Sequence, residues 1–457
     1  MTDAIAAIVL AAGDGTRMKS NRPKVLHEVA GRSMIGHVLA ALERAGVDQT
    51  VVVTAPGQET VREAVAPLTC VIQETPLGTA DAVKPARDEL AGFDGTVLVA
   101  YGDTPLIMPT TLAALASARA GEGSDDDPPA VVVLGFETPD PARYGRLVVG
   151  ADGMLEAIVE AGEATDEQLA ISLCNGGIMA VDGARLFGLL DRITNDNAKG
   201  EFYLTDIVSL ARGDGLGVQV VIGEEVEMMG CDSRIGLARA EHVMQQRLRF
   251  NAMGGGVTLL APGTVVMSHD TVIGQDTVIH PNVAIGPGVE IGERCEIKSF
   301  SHLEGAKIEA GALIGPYARL RPGAEIGEGA HIGNFVEIKN ATIEAGAKAN
   351  HLSYIGDGQV GAGANIGAGT ITCNYDGFLK HQTNIGAGAF IGSNTALVAP
   401  VTIGEGAIVG AGSTITRDVP ADALAVERAD EKIVEGAAGR LRARGKVAKG
   451  AADKGKK

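Results

Sequence analysis

The chain has 457 residues, 45% apolar and 21% charged, which is more than one ordinary hydrophobic core accommodates and too apolar for disorder to be the default. A formal net charge of -18 excludes nucleic acid as a general partner, because a phosphate polymer needs a basic footprint. Sixty-three Gly, no Trp and 3% aromatics point to tight repeated turns packed by small aliphatic side chains, a bias concentrated after residue 254.

The first twenty residues lack a basic leader region and break their apolar run at Gly13 and Asp14, so they read neither as a signal peptide nor as a membrane span. Cys70, Cys174, Cys231, Cys295 and Cys373 are scattered, with no CxxC pair or Cys/His ligand spacing, and a reduced, cytoplasmic setting is expected. Through residue 233, short β-branched runs alternate with helix-like stretches; Ala6 to Leu10, Thr50 to Thr54, Thr96 to Ala100 and Ala130 to Leu134 read as buried strands. This alternation predicts a doubly wound α/β domain over 1–233 with ligands at the carboxyl ends of its strands, which singles out the loops after Leu10 and Ala100. Residues 234–254 are polar and amphipathic and read as a helical linker stopped by Gly254, Gly255 and Gly256.

Over 255–457 an aliphatic residue recurs every six positions. One phase runs Met267, Ile273, Ile279, Ile285, Ile291, Ile297, Leu303; a second runs from Ile308 through Ile314, Leu320, Ile326 and Ile332 to Ile338. A third runs Ile385, Ile391, Leu397, Ile403, Val409, Ile415 after a break around 370–384. Six residues make one short strand and one turn, so three hexads close a triangular coil with the aliphatics inside, a parallel β-helix. From about Gly439 the chain is Lys, Arg, Gly and Ala without an apolar face, and is expected to be a disordered, solvated tail.

Directly after the first strand, Gly13-Asp14-Gly15-Thr16-Arg17-Met18 is followed by Pro23-Lys24. Backbone N–H groups of a Gly-rich turn cradle oxyanions, and Arg17 and Lys24 can balance charge at an attacked phosphorus. Met18 occupies the third glycine position of the dinucleotide fingerprint, and no G-K-[ST] follows, so neither that motif nor a P-loop is present. By itself Gly-x-Gly is also just a sharp turn. Asp103 follows the third strand run, where a hard carboxylate suits Mg²⁺, although Thr104-Pro105 also allows it to be a plain helix N-cap.

The string is similar to the sugar-nucleotide pyrophosphorylase family, and the resemblance continues through Gln73, Leu77-Gly78-Thr79, Tyr101-Gly102-Asp103, Tyr144-Gly145-Arg146, Glu160 and Asn175-Gly176-Gly177. It implies that Leu10, Ala11, Ala12, Gly13, Lys24, Gln73, Gly78 and Thr79 hold the nucleotide and that Gly145, Glu160 and Asn175 hold the sugar. Tyr101, Gly102, Asp103 and Asp232 complete that UDP-N-acetylglucosamine site, with Asp103 and Asp232 binding Mg²⁺. Two positions depart from the family pattern. Asp232 stands where an Asn is usual, and Gly162 where a Lys often follows the Glu.

In the repeat region Arg321 and Lys339 are 18 residues apart, one full coil, which stacks them into an anion clamp. His351 replaces no aliphatic of the register and is suited to take a proton from an amine. Asn374-Tyr375-Asp376-Gly377, in the break, reads as a protruding turn. Taken together, residues 5 to about 430 resemble the family of bifunctional N-acetylglucosamine-1-phosphate uridylyltransferase/glucosamine-1-phosphate acetyltransferases, whose repeat half is a left-handed β-helix. The resemblance implies that Arg321, Lys339, Tyr354 and Asn365 hold the sugar phosphate, that His351 is the general base, and that Ala368, Asn374, Tyr375, Ser393, Ala411 and Arg428 meet acetyl-CoA. It implies glucosamine 1-phosphate, N-acetylglucosamine 1-phosphate, UTP and acetyl-CoA as substrates, a precursor role for peptidoglycan and lipopolysaccharide, and a homotrimer whose neighbouring coils share each acetyltransferase site. The rival readings are a pyrophosphorylase for another hexose with a regulatory β-helix, and a non-enzymatic scaffold, against which the intact Arg17, Lys24 and Asp103 speak.

Overall fold

Continuous β-branched runs are the signature of strands buried on both faces, and that is what the first 250 residues make. The computed structural model describes residues 4–122 and 127–454, with side chains as far as Lys449. Its contacts divide into two units, one of Met1–Gly255 with Val265–Thr271 and Ile285–Pro287, the other of Gly256–Thr264, Val272–Ala284 and Gly288–Lys457.

The first unit holds a mixed sheet of β1 (Ile5–Leu10), β2 (Gln49–Thr54), β3 (Thr69–Ile72), β4 (Thr96–Tyr101), β5 (Val131–Glu137), β6 (Arg146–Val149), β7 (Leu155–Val159), β8 (Leu173–Asp182) and β9 (Val218–Ile222). The strand order is β9-β5-β8-β4-β1-β2-β3, with β8 antiparallel to both neighbours and the β6/β7 hairpin joined to β8. Side chains of β1 alternate between two cores. Ala6 and Ile8 pack with the helices Thr79–Val83, Gly183–Leu190 and Ile207–Gly213; Ala7 and Val9 pack with Met34–Arg44, Glu59–Val65 and Pro109–Arg119. Strand order reverses at β1, between β2 and β4, so the loops after Leu10 and Tyr101 open side by side at a topological switch point. Helix Arg234–Gly254, capped by Ser233 through Gly236 N, follows.

The second unit is a left-handed parallel β-helix of short strands. Val278 pairs with Glu296 and Glu296 with Leu313, so each coil takes 18 or 17 residues. Ile279, Ile297, Ile314 and Ile332 stack inside one face, Leu303, Leu320 and Ile338 inside the second, and Ile291, Ile308, Ile326 and Ile343 inside the third, none more than 3% exposed. All but Ile343 are residues of the six-residue register read from the sequence. Corners are turned in the left-handed region, even by Phe300, Tyr317 and Phe335, whose rings stack with centroids 5.0 Å apart. At the break the pairing jumps from Gly358 to Thr383, and residues 375–380 form an exposed turn in which Tyr375 bridges Lys380. The Asp376 carboxylate closes that turn by accepting from the N–H groups of Phe378 and Leu379, at 2.8 and 2.7 Å.

The expectation of a disordered tail from about Gly439 is corrected: Ala437–Lys454 is an α-helix. Ala, Arg and Lys are strong helix formers, and the lack of an apolar face leaves the helix exposed without preventing it. Among the described residues no helix is long and apolar enough to cross a membrane.

Candidate functional sites

Two glycines shape the mouth of the α/β cleft. A Cβ on Gly15, at φ +60°, would lie 2.7 Å from Lys24 Cβ, so its absence lets Lys24 reach in beside the turn. A Cβ on Gly78, at φ +127°, would lie 2.5 Å from the Phe202 carbonyl oxygen. The cavity that results, of about 270 Å³, is lined by Leu10, Ala11, Ala12, Gly13, Lys24, Gln73, Gly78, Thr79, Tyr101 and Asp103. Those ten are residues the sequence assigned to the nucleotide site; Gly102, Gly145, Glu160, Asn175, Asp232 and Arg17 lie outside the lining. Gln73 is buried and donates to Asp81 at 2.9 Å, and Thr79 Oγ1 accepts from Leu204 N at 2.9 Å, so both side chains are fixed from behind.

At one edge of the cavity four charges interlock. Lys24 Nζ donates to Asp103 Oδ2 at 2.5 Å and to Asp232 Oδ1 at 3.3 Å, while Arg17 pairs with Asp232 Oδ2 at 2.9 Å. Burial alone would lower the Lys24 pKa, but Asp103 and Asp232 outweigh it and hold the ammonium above its ordinary value. Asp103 caps no helix, since the next one starts at Pro109 behind Met108. Its carbonyl oxygen instead accepts from Cys231 N at 3.0 Å, tying the loop after β4 to the loop that carries Asp232. The buried Cys231 thiol is pushed up to about 12 by burial and by both carboxylates, which keeps it a neutral packing group. The lysine ammonium is a stand-in for a cation shared by Asp103 and Asp232. Among the described residues no third His, Cys, Asp or Glu joins them. Two hard oxygen donors without a protein cage fit Mg²⁺ that completes its shell with water and phosphate oxygens.

The sugar-side residues converge deeper in the unit. Asn175 N donates to Gly145 O at 2.9 Å, and a Cβ on Gly145 would sit 3.6 Å from both Asn175 Cβ and Glu160 Oε1. Burial raises the Glu160 carboxyl, and the charge that opposes this belongs to Lys199. Gly162 has open space around it, so Lys199, which the sequence reading did not single out, is the cation acting at this end.

In the β-helix, residues a coil apart fall into columns. Leu320 pairs with Ile338 and Lys339 with Gly356, so Arg321, Lys339 and Gly356 form one column, as their spacing predicts. Arg321 Nη1 is paired with Glu337 at 2.8 Å. His351 belongs to a different column: it pairs with Asn334, and Nδ1 of its exposed ring donates to Asn334 Oδ1 at 2.8 Å. With Nδ1 engaged in this way, the acceptor nitrogen of a neutral ring is Nε2. Asn394 N donates to Ala368 O and Gly412 N to Ser393 O, so Ala368, Ser393 and Ala411 continue the His351 column, and Arg428 reaches its end beside Gly412. The strand that starts at Tyr354 carries Gly356 of the first column, and Asn365 lies on the same face as His351, one coil on, paired with Lys348.

Three residues of this region escaped the sequence reading. Asn334 precedes His351 by one coil and was legible in the register. Lys380 lies in the protruding turn, where counting by six fails. The positive charge of Lys339 pushes its pKa down. Asp357 is 7% exposed and accepts from Asn340 Nδ2 at 2.7 Å and from Asn374 Nδ2. Asn374 is thus turned inward, also reaching Tyr354 Oη at 3.5 Å, while Tyr375 is exposed.

Residues 7–174 match the MobA-like NTP transferase domain family, and residues 270–305, 305–340 and 382–417 match the bacterial transferase hexapeptide family. Three similar proteins are each named bifunctional protein GlmU. That of Rhodospirillum rubrum is 61% identical over 96% of this chain and 97% of its own length; that of Paramagnetospirillum magneticum is 57% identical over 96% and 97%. The protein of Xanthobacter autotrophicus is 54% identical over 95% of this chain and 97% of its own.

Proposed function

The chain belongs to the GlmU family of bifunctional transferases, a nucleotidyltransferase joined to a hexapeptide acyltransferase, and from that premise we propose a residue-level account of its two reactions. In the β-helix, residues 255–457, acetyl-CoA acetylates the amine of glucosamine 1-phosphate. In the α/β domain, residues 1–233, the resulting N-acetylglucosamine 1-phosphate attacks the α-phosphorus of UTP, giving UDP-N-acetylglucosamine and pyrophosphate.

For acetyl transfer, the free Nε2 of His351 takes the amine proton as nitrogen attacks the thioester carbonyl, and the Asn334 bond holds the ring in the tautomer that can do so. Arg321, Lys339, Tyr354 and Asn365 hold the sugar phosphate, and Ala368, Asn374, Tyr375, Ser393, Ala411 and Arg428 meet acetyl-CoA. A homotrimer places a neighbouring coil against the open face between the two columns, so that each site is shared.

For uridylyl transfer no protein nucleophile is needed. The turn that follows Ala11 presents backbone N–H groups to the triphosphate, Leu10 to Gly13 with Gln73, Gly78 and Thr79 hold the nucleotide, and Gly145, Glu160 and Asn175 hold the sugar. Mg²⁺, held by Asp103 and Asp232, would supply neutralisation of phosphate charge. Arg17 and Lys24, released from the carboxylates, move their charge onto the departing pyrophosphate.

The observation that carries this account is the chain-long likeness combined with a cleft of which ten of the fifteen lining residues were assigned beforehand. The test is to assay one preparation of the full-length protein twice. It should release CoA thiol from acetyl-CoA and glucosamine 1-phosphate, and pyrophosphate from UTP and N-acetylglucosamine 1-phosphate with Mg²⁺. Pyrophosphate release without thiol release would replace this reading with a single-activity pyrophosphorylase carrying a β-helix for assembly.

A further inference from the structure

The long helix that follows the α/β sheet opens on a residue that its own position disfavours. Arg234 is the first residue of Arg234–Gly254, next to the Ser233 cap, and the first turn holds no acid. A cation there faces the positive end of the helix dipole, where Asp or Glu would be stabilising. A residue that breaks a local rule is expected to be compensated by what it does elsewhere. Here the guanidinium reaches the signature loop after β1. Its Nε donates to the Met18 carbonyl at 3.3 Å, and its Nη1 donates to His27 Nδ1 at 3.3 Å. Met18 is fully buried and ends the short helix Thr16–Met18, which carries Arg17. His27 is 4% exposed and directly follows the short helix Lys24–Leu26, where its N–H donates to the Lys24 carbonyl at 3.2 Å. Burial, then the charges of Arg234 and Arg22, lower the His27 pKa and keep the ring a neutral acceptor.

One side chain thus touches the ends of both turns from which the cleft's two cations project, and it stands two residues from Asp232, the anion that both cations pair with. Those ion pairs are the contacts a triphosphate competes for. The contacts of Arg234 differ in kind, since a backbone carbonyl and a neutral imidazole acceptor offer a phosphate nothing to displace. Val25 and Leu26 pack into the domain core and hold the second turn, but apolar packing is non-directional and fixes the aim of a neighbouring side chain less closely than a fork of hydrogen bonds. We infer that Arg234 is a positioning residue for uridylyl transfer, which ties the Arg17 turn, the Lys24 turn and the Asp232 loop together so that both cations keep their aim at the leaving phosphates once their ion pairs open. Lys could not replace it, because one ammonium lacks the planar fork that meets two acceptors at a fixed angle. The inference rests on the reading of this cleft as the uridylyl-transfer site.

The test measures pyrophosphate release and thiol release by full-length Arg234→Ala, Arg234→Lys, His27→Leu and Lys24→Ala. Arg234→Ala should lower kcat for pyrophosphate release about tenfold or more, since displacing a charged group by about 1 Å suffices for that, with KM for UTP within about threefold and thiol release unchanged. Arg234→Lys should be nearly as slow. His27→Leu removes one of the two acceptors and should lower kcat by less; adding it to Arg234→Ala should slow the enzyme no further, because both changes remove the same contact. A merely structural role would lower Tm and the amount of folded protein while kcat per folded molecule stayed in place, and that outcome overturns the inference. So does a fully active Arg234→Lys, which would mean that charge alone suffices, or a raised KM for UTP at constant kcat, which would make Arg234 a direct contact of the nucleotide. If Lys24→Ala lowers kcat and Arg234→Ala does not, the inference is overturned and the cleft reading stands. If neither lowers it, the cleft reading fails and the inference with it. Should Arg234→Ala not fold, Arg234→Lys and His27→Leu carry the test, and an unchanged kcat in both overturns the inference.

Discussion

The two sites are built in opposite ways. The cleft of the α/β unit draws residues carried by loops at the ends of strands that a long chain must bring together, and Arg17, Lys24, Asp103 and Asp232 at its edge satisfy one another's charge. The β-helix site draws residues stacked a coil apart, and its imidazole stands exposed. A site of the first kind is closed by its own ion pairs until a ligand competes for them. A site of the second kind is an unfinished surface whose charges wait for a ligand or another chain.

The difference predicts how separable the activities are. His351→Ala removes the base and leaves the α/β unit untouched, so acetyl transfer should fall by roughly 10²–10⁴-fold with pyrophosphate release unchanged. Thiol release and pyrophosphate release, measured on the same sample, check this. Loss of both would mean that the two sites are not independent. Asp103→Ala should do the converse, lowering pyrophosphate release by about 10²-fold or more at any Mg²⁺ concentration and sparing thiol release.

Asp232→Asn gives a smaller effect that sharpens the picture of self-satisfied charge. It keeps an oxygen donor but frees Arg17 and removes one of the two anions beside Lys24. The Mg²⁺ concentration giving half-maximal pyrophosphate release should change by a few fold, with thiol release constant. Lys24, whose pKa is raised by both carboxylates, should become easier to deprotonate, moving the alkaline limit of uridylyl transfer to lower pH. An unchanged Mg²⁺ requirement would remove Asp232 from the cation site.

Legibility followed the same division. In the β-helix a step of 17 or 18 residues converts sequence spacing into contact, so the Ile and Leu stacks and the Arg321 to Lys339 column could be read by counting. Counting failed at the break, where Lys380 re-enters out of register beside Lys339. His351 and the clamp occupy separate columns. In the α/β unit four of the nine strands, and the two loops that open on the cleft, followed from β-branched runs, but which residues meet there did not. The tie between Asp103 O and Cys231 N joins residues far apart in sequence, and only a family resemblance pointed to Asp232. The antiparallel β8 carries no sequence mark, because a strand buried on both faces reads the same in either direction.

The smallest effect is expected at the C-terminal end, where the sequence reading was corrected. Helix Ala437–Lys454 shows exposed side chains from Ala438 to Lys449, and its one described side-chain hydrogen bond runs from Arg440 to the Glu435 carbonyl, within its own entry. A helix that buries nothing adds little to stability, so ending the chain at Gly436 should shift Tm by no more than about 1 °C and leave both kcat values within about twofold. The deletion does remove eight basic residues and one acidic residue from a chain of net charge -18. If those charges help gather anionic substrates, KM for UTP and acetyl-CoA should rise at low ionic strength, and the rise should vanish near 0.15 M salt, where the Debye length is about 8 Å. A loss of acetyl transfer that persists at that salt would instead mean that the helix contacts the β-helix site of its own or a neighbouring chain.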